Sequence, residues 1–303
     1  MAVWRLVPFH RYPPRENMAI DEAIFREVQR SGGPPTIRLY GWLSPAVSIG
    51  YFQHIDREID LEMCRKSGVT VVRRPTGGKA VYHDDDLTYA VIAGENTSLF
   101  PPTILETYRL ISQCLVQGLH KLGLEAVLAE EGRAPGKEPM MDSGTGMGTG
   151  RGALDASCFS MPSLHELLVT GRKICGSAQM RSRGAFLQQG SLLMSFDPEM
   201  TCDVMLPHRE PRARQVQALR EKVTSLYEHL PRSVKRDDVC ESLIEAFQTG
   251  WEVSFAEGFL TAEEEKLKDH LLATKYSDLA RGRGLVPEAR RDRNMSPEEK
   301  EKI

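Results

Sequence analysis

Residues 69–94 read VTVVRRPTGGKAVYHDDDLTYAVIAG. Two β-branched runs flank Pro75-Thr76-Gly77-Gly78, and a third apolar run follows the acidic triplet Asp84-Asp85-Asp86, so the stretch predicts strand, glycine turn, strand, acidic turn, strand. Turns this short join antiparallel neighbours, because a parallel crossover needs a dozen or more residues. Two glycines let backbone approach a ligand closely, and Arg73, Arg74 and Lys79 surround them with positive charge. On the residues alone, the stretch reads equally as a ligand cradle or as a plain β-turn with charged flanks.

The same pattern extends in both directions. Upstream, Ile20, Ile24 and Val28 recur at four-residue steps, predicting a helix over Asn17 to Arg30 that the Gly32-Gly33-Pro34-Pro35 run ends. Extended segments are expected at Thr36 to Trp42 and Ala46 to Phe52, then a helix from Asp56 to Lys66. Downstream, Thr103 to Leu122 has helical periodicity, Glu166 to Gln179 predicts a hairpin turning at Thr170-Gly171, and Phe186 to Phe196 predicts a strand. Asp197 to Thr274 reads as mostly helical. Strands joined by short turns ahead of a helical final third favour an α+β fold, with a mixed, largely antiparallel sheet flanked by helices. One domain is expected over residues 1–280, with a flexible Gly-rich loop at 130–152 and a charged, disordered tail at 281–303.

The chain has 303 residues and 39 basic against 42 acidic side chains, a net charge of −3. That length supports a core without disulfides or structural metal. No apolar run is long enough to span a bilayer, so no membrane association is expected. The opening MAVWRLVPFH lacks the pattern of a signal peptide, and the cytoplasm is the expected location. The six cysteines form no C-x-x-C pair, which argues against zinc and a disulfide framework. With no basic, aromatic-interleaved stripe, nucleic acid is not an expected partner. Gly148 to Ala153 fits a dinucleotide pattern but lacks a preceding strand and a following helix. No phosphate loop and no G-x-S-x-G elbow occur. The acidic triplet beside His83 reads as a solvated turn, since consecutive extended residues point in opposite directions.

The run RRPTGGKAVYHDDDLTYAVI, with NMAIDEAIF from Asn17 and WLSPAVSIGYFQ from Trp42, resembles the biotin/lipoate protein ligase and lipoyl transferase superfamily. The stretch from Cys158 to Leu193, CFSMPSLHELLVTGRKICGSAQMRSRGAFLQQGSLL, is similar to its octanoyltransferases of the LipM type. Lipoate ligases carry a third glycine where Lys79 stands and an Asn-rich segment in place of DLTYAV. The resemblance implies the ligase-like catalytic fold and an acyltransferase that moves an octanoyl group from octanoyl-acyl carrier protein to a specific lysine. The implied acceptor is the glycine cleavage H protein or a lipoyl domain. Neither ATP nor a metal is expected, because a thioester donor is already activated, and a monomer is expected. Three other readings remain open: an amidotransferase between lipoyl domains, an ATP-dependent lipoate ligase, and a non-catalytic lipoyl-domain binder.

By the same resemblance Cys158 is the acyl-carrying nucleophile and Lys173 its partner, a cation that raises the thiolate fraction. Cys175, two residues from Lys173, is a rival nucleophile that alternation places on the same strand face. Arg73, Arg74, Gly77, Gly78, Lys79, His83, Gly176 and Ser177 are expected to bind substrate, with backbone N–H groups near either glycine pair as oxyanion donors. Val71, Val72, Ala80 and Tyr82 are candidate walls for the acyl chain. Positive charge in these motifs, including Arg172, Arg181 and Arg183, would suit acidic carrier proteins.

Overall fold

The computed structural model describes residues 2–129, 166–206 and 210–277. The expected Gly-rich loop, the charged tail and Cys158 lie outside the described residues. The chain opens with β1 (Ala2–Tyr12), α1 (Pro14–Ser31), β2 (Thr36–Trp42) and β3 (Ala46–Ile49). Two short helices, α2 (Ile55–Glu58) and α3 (Leu61–Lys66), replace the single helix expected from Asp56 to Lys66. Asp60 breaks that helix because its side chain caps α3 by accepting from the Met63 N–H. Strands β4 (Thr70–Arg73), β5 (Val81–His83) and β6 (Asp86–Gly94) reproduce the expected strand–turn–strand–turn–strand order.

Then follow α4 (Ile104–Lys121), β7 (Ala126–Leu128), β8 (Leu167–Val169), β9 (Arg172–Ser182) and β10 (Ala185–Leu193). The last part carries α5 (Pro198–Val204), α6 (Arg212–Lys222), α7 (Arg236–Trp251), β11 (Val253–Glu257) and α8 (Ala262–Thr274). Thr170 and Gly171 both take positive φ, 49° and 76°, the left-handed pair that a two-residue hairpin turn requires. None of the described helices is long and apolar enough to cross a membrane.

Eight strands form one sheet in the order β11-β1-β2-β6-β10-β9-β8-β7, parallel across the first two pairings and antiparallel across the rest. A second sheet, β4-β3-β5, packs beside it. The mixed, largely antiparallel expectation therefore holds. Strand β1 and the edge strand β11 beside it were not foreseen: β1 contains Pro8 and shifts register between Val7 and His10, which destroys the alternation a sequence reader looks for.

Each face of the large sheet has its own apolar layer. One layer carries Trp4, Phe100, Phe186, Phe247 and Trp251 beneath α4 and α7. The Phe100 ring meets Trp4, Phe186 and Trp251 at centroid distances of 5.6, 4.7 and 5.4 Å, edge to face in each case. The other layer packs Ile20, Ile24 and Val28 of α1, with Leu271 of α8, on Tyr40, Ala90 and Leu187. Gly32 closes α1 in the left-handed conformation, its N–H bonded to the Val28 carbonyl.

The glycine turn leans on the end of β3. The Tyr51 N–H donates to the Thr76 carbonyl at 2.9 Å, and a Cβ at Gly50 would collide with the Gly78 carbonyl oxygen. Gly50→Ala is therefore expected to cost ~1–3 kcal/mol of stability by pushing the turn away. Urea denaturation of the variant beside wild type measures it.

Candidate active site

Between the two sheets lies a small pocket that is partly open to solvent. Its apolar wall comes from Met18 on α1, Tyr40 and Trp42 on β2, Val81 on β5 and Ala178 on β9. Of the residues expected to bind substrate, Arg74, His83, Gly176 and Ser177 line it. Gly77 instead lines an open groove with Tyr51, Phe52, Arg181 and Arg183. The four expected acyl walls do not face the pocket. Val72 packs under α1, and Val71, Ala80 and Tyr82 belong to the apolar layer beneath the small sheet. Most of the wall comes from α1, β2 and β9, elements remote in sequence from the glycine turn, and Val81 is its one apolar contribution from the strand that follows the turn.

His83 sits at the seam. Its Nε2 is 2.8 Å from Ser48 Oγ on β3, and its Nδ1 is 2.9 Å from Asp86 Oδ2 at the start of β6. The Trp42 ring stacks on the imidazole at 4.0 Å. Asp86 Oδ2 also accepts from Thr88 Oγ1 at 3.0 Å and from Ser191 Oγ on β10. Thr88 in turn accepts from Trp42 Nε1 at 2.9 Å. The solvated-turn reading of the acidic triplet is thus corrected for Asp86, which is 1% exposed, while Asp84 alone is open to solvent. Burial pushes the Asp86 carboxyl up, but the adjacent His83 and the hydrogen bonds from His83, Ser191 and Thr88 outweigh it and hold the group below its usual range.

The motif cations are spent inside the protein. Arg73 Nη1 donates to the carbonyls of Gly50, Tyr51 and Gln53, each at 2.9 Å. Arg74 grips the glycine turn through the carbonyls of Gly77 and Lys79, both at 2.7 Å, and reaches the Ser48 carbonyl at 2.9 Å and Ser48 Oγ at 3.2 Å. Arg172 pairs with Glu228, and Arg181 donates to the carbonyls of Pro101, Pro102 and Thr103. Lys79 is half-buried behind the turn, Gly78 is exposed at its tip, and Arg183 is exposed at the β9–β10 turn.

Lys173, 1% exposed, pairs with Glu166 at 2.7 Å, and Glu166 is 2% exposed. An ammonium so removed from water needs such a carboxylate to offset its desolvation. The expectation that Cys175 shares its face is corrected by a β-bulge. Cys175 pairs with Leu167 and Lys173 with Leu168, a register shift of one. Cross-strand partners share a face. Leu167, Val169 and Cys175 belong to the α4/α7 layer, so Leu168 and Lys173 point to the opposite face, the one that carries Gln189 and Ser191 into the pocket. Ser48 and Asp86, bonded to His83, and Glu166, paired with Lys173, are the side chains that sequence reading left out of the candidate site. His83 and Asp86, three apart in an acidic turn, were the available signal.

Comparison with known proteins agrees with this geometry. Residues 13–248 match the family model for the lipoyl protein ligase A/B catalytic domain. Octanoyltransferase LipM of Geobacillus kaustophilus (strain HTA426) is 38% identical over 279 residues, covering 90% of this chain and 95% of that protein. Octanoyltransferase LipM of Bacillus subtilis (strain 168) is 37% identical over 275 residues, with the same coverage. Among solved structures, the bipartite lipoate protein ligase of Thermoplasma acidophilum superposes with a TM-score of 0.75 at 28% identity, covering 94% of this chain and 98% of that one. A lipoate-protein ligase A bound with ATP superposes at 0.74 and 29%, covering 94% and 100%. The fold is that of a lipoyl-ligase catalytic domain. The chain belongs to the lipoyl protein ligase A/B catalytic domain family and, within it, to the LipM octanoyltransferases.

Two predictions follow from the site. Burial pushes the Cys175 thiol up to about 12, so it is not a nucleophile at neutral pH. Cys175→Ala is expected to keep its acyl-transfer rate, and the thiol of the native protein to resist iodoacetamide, as peptide mapping would show. Asp86, with its folded-state value lowered, stabilises the fold fully above the unfolded-chain value of about 3.9 and ceases to do so as pH falls through the lower folded value. Urea midpoints followed downward from about pH 4 should therefore fall less steeply in Asp86→Asn than in wild type.

Proposed function

We propose that the protein transfers an octanoyl group from octanoyl-acyl carrier protein to the lysine of a lipoyl-accepting protein, the glycine cleavage H protein or a lipoyl domain, through a thioester on Cys158. The observation that carries the reading is the near-full-length match to LipM octanoyltransferases. The pocket supports it. An apolar wall of Met18, Tyr40 and Trp42 suits a short alkyl chain, and the polar end at Ser48 and Arg74 suits the thioester carbonyl.

A donor that is already a thioester requires no nucleotide. The cysteine sulfur attacks the thioester carbonyl and the pantetheine thiol leaves; the acceptor amine then attacks the new thioester and forms an amide. Lys173 puts positive charge on the pocket face of the sheet, which would favour thiolate over thiol in a cysteine brought beside it. Glu166 anchors that charge, so the ammonium stays on the pocket face rather than turning to solvent.

Intact mass spectrometry after mixing with octanoyl-acyl carrier protein, without ATP, tests the reading. An octanoyl adduct removable by hydroxylamine, mapped to Cys158 and missing in Cys158→Ala, is the expected result. Lys173→Ala should slow adduct formation by about 10²-fold or more. Product formed only from free octanoate and ATP would assign the chain to the ligases. Transfer only from octanoyl-H protein would make it an amidotransferase.

A further inference from the structure

The pocket holds a hydrogen-bonded chain that the cysteine and lysine do not account for. Ser48, His83 and Asp86 are 2%, 4% and 1% exposed, and Ser48 and His83 both line the pocket. Asp86, an ionised acceptor, takes the Nδ1 hydrogen of His83 and so fixes the ring tautomer that leaves Nε2 as an acceptor. Nε2 is covered by Ser48 Oγ, and the Trp42 stack keeps the ring from turning away. Arg74 Nη1, 3.2 Å from the same oxygen, donates to it and holds the hydroxyl proton toward His83. Ser191 Oγ, the other pocket hydroxyl near the ring, is 3.4 Å from Nδ1, which is committed to Asp86, so a proton reaching the free acceptor Nε2 passes through the Ser48 hydroxyl.

Transfer to lysine creates the need for such a path. With an ordinary pKa near 10.4, only roughly one lysine in 2,500 is neutral at pH 7, and only the neutral amine attacks a carbonyl. We propose that Ser48, His83 and Asp86 form the proton relay that deprotonates the acceptor amine. Ser48 Oγ accepts a proton from the incoming ammonium while its own passes to His83 Nε2, and Asp86 stabilises the imidazolium through Nδ1. The neutral amine then bonds to the acyl carbon, the carbon–sulfur bond breaks, and the sulfur takes the remaining amine proton. His83 releases its proton to solvent through Ser48 once product leaves. The relay rests on the acyl-transfer reading above, and Ser48 is its only member that touches substrate.

The test compares two acceptors. With octanoyl-acyl carrier protein as donor, enzyme-dependent transfer is measured to the glycine cleavage H protein and to hydroxylamine, a nucleophile already neutral at pH 7. Ser48→Ala and Asp86→Asn should lose about 10²-fold toward the lysine acceptor while losing much less toward hydroxylamine. A merely structural role would lower both rates together, and that result, or unchanged lysine transfer, overturns the relay. Where Asp86→Asn fails to fold, Ser48→Ala decides the matter, since it removes one oxygen. An octanoyl ester mapped to Ser48 would make it the nucleophile and also overturn the relay. A wild type inert toward both acceptors removes the acyl-transfer reading and the relay with it. A wild type that transfers to lysine no faster than Ser48→Ala removes the relay alone.

Discussion

Asp21 and Arg38 form an ion pair with both partners fully buried, 2.6 Å apart, and the rest of the site is assembled around it. Taking two charges out of water is expensive, and the pair is tolerable only because further hydrogen bonds surround it. Asp21 accepts from Arg38, from the Tyr40 hydroxyl at 2.8 Å and from Gln189 Nε2 at 2.5 Å. Arg38 also donates to the Asn17 side chain at 2.5 Å and lies 3.9 Å over the Tyr40 ring. Helix α1 is thereby keyed to β2 and β10 in one register. Gln189 accepts in turn from Thr76 at 3.0 Å, so the glycine turn is tied to the same charge. Removing one partner of such a pair leaves an uncompensated buried charge, worth about 3–5 kcal/mol, a large part of an ordinary domain's stability.

That key explains why the pocket forms where it does. Between α1 and the sheet, the α1 residues Ile20, Ile24 and Val28 seal an apolar layer, but near Asn17 and Asp21 the helix presents polar groups that must be satisfied. The small sheet covers this stretch, and the seam is closed by His83 bonding to both sheets at once. A polar seam over an apolar floor suits the proposed acyl thioester, whose chain would lie on the floor with its carbonyl at the seam.

The parts legible in the sequence were those with local causes. The glycine turn, the Thr170-Gly171 hairpin and the repeating helices α1 and α4 each carry their determinants within a dozen residues. The parts that were not legible depend on register between distant segments. A bulge in β9 takes Cys175 off the face of Lys173: an unbroken hairpin about Thr170-Gly171 would put Cys175 across from Glu166, whereas the bulge puts it across from Leu167. Ser48 sits in a mostly apolar run, AVSI, and meets His83 only because β5 pairs with β3 and aims the ring at it. Asp86 looked like one of three equivalent carboxylates until the start of β6 turned it inward.

The arginines of the turn show how residue type and function can be separated. Positive charge beside a glycine turn suggests a bound anion, yet Arg73 and Arg74 point at main-chain carbonyls, three in one case and three in the other. The segments they grip, residues 50–53 and 74–79, are irregular, so their carbonyls have few sheet partners and would be costly to bury unpaired. A planar guanidinium offers five donors in a fixed fork and satisfies several such carbonyls together, which a lysine ammonium on a flexible stem does less well. The charge in this motif therefore shapes backbone. The turn keeps its form through these side-chain bonds together with the two backbone bonds that tie it to the end of β3, from the Arg74 N–H to the Ile49 carbonyl and from the Tyr51 N–H to the Thr76 carbonyl.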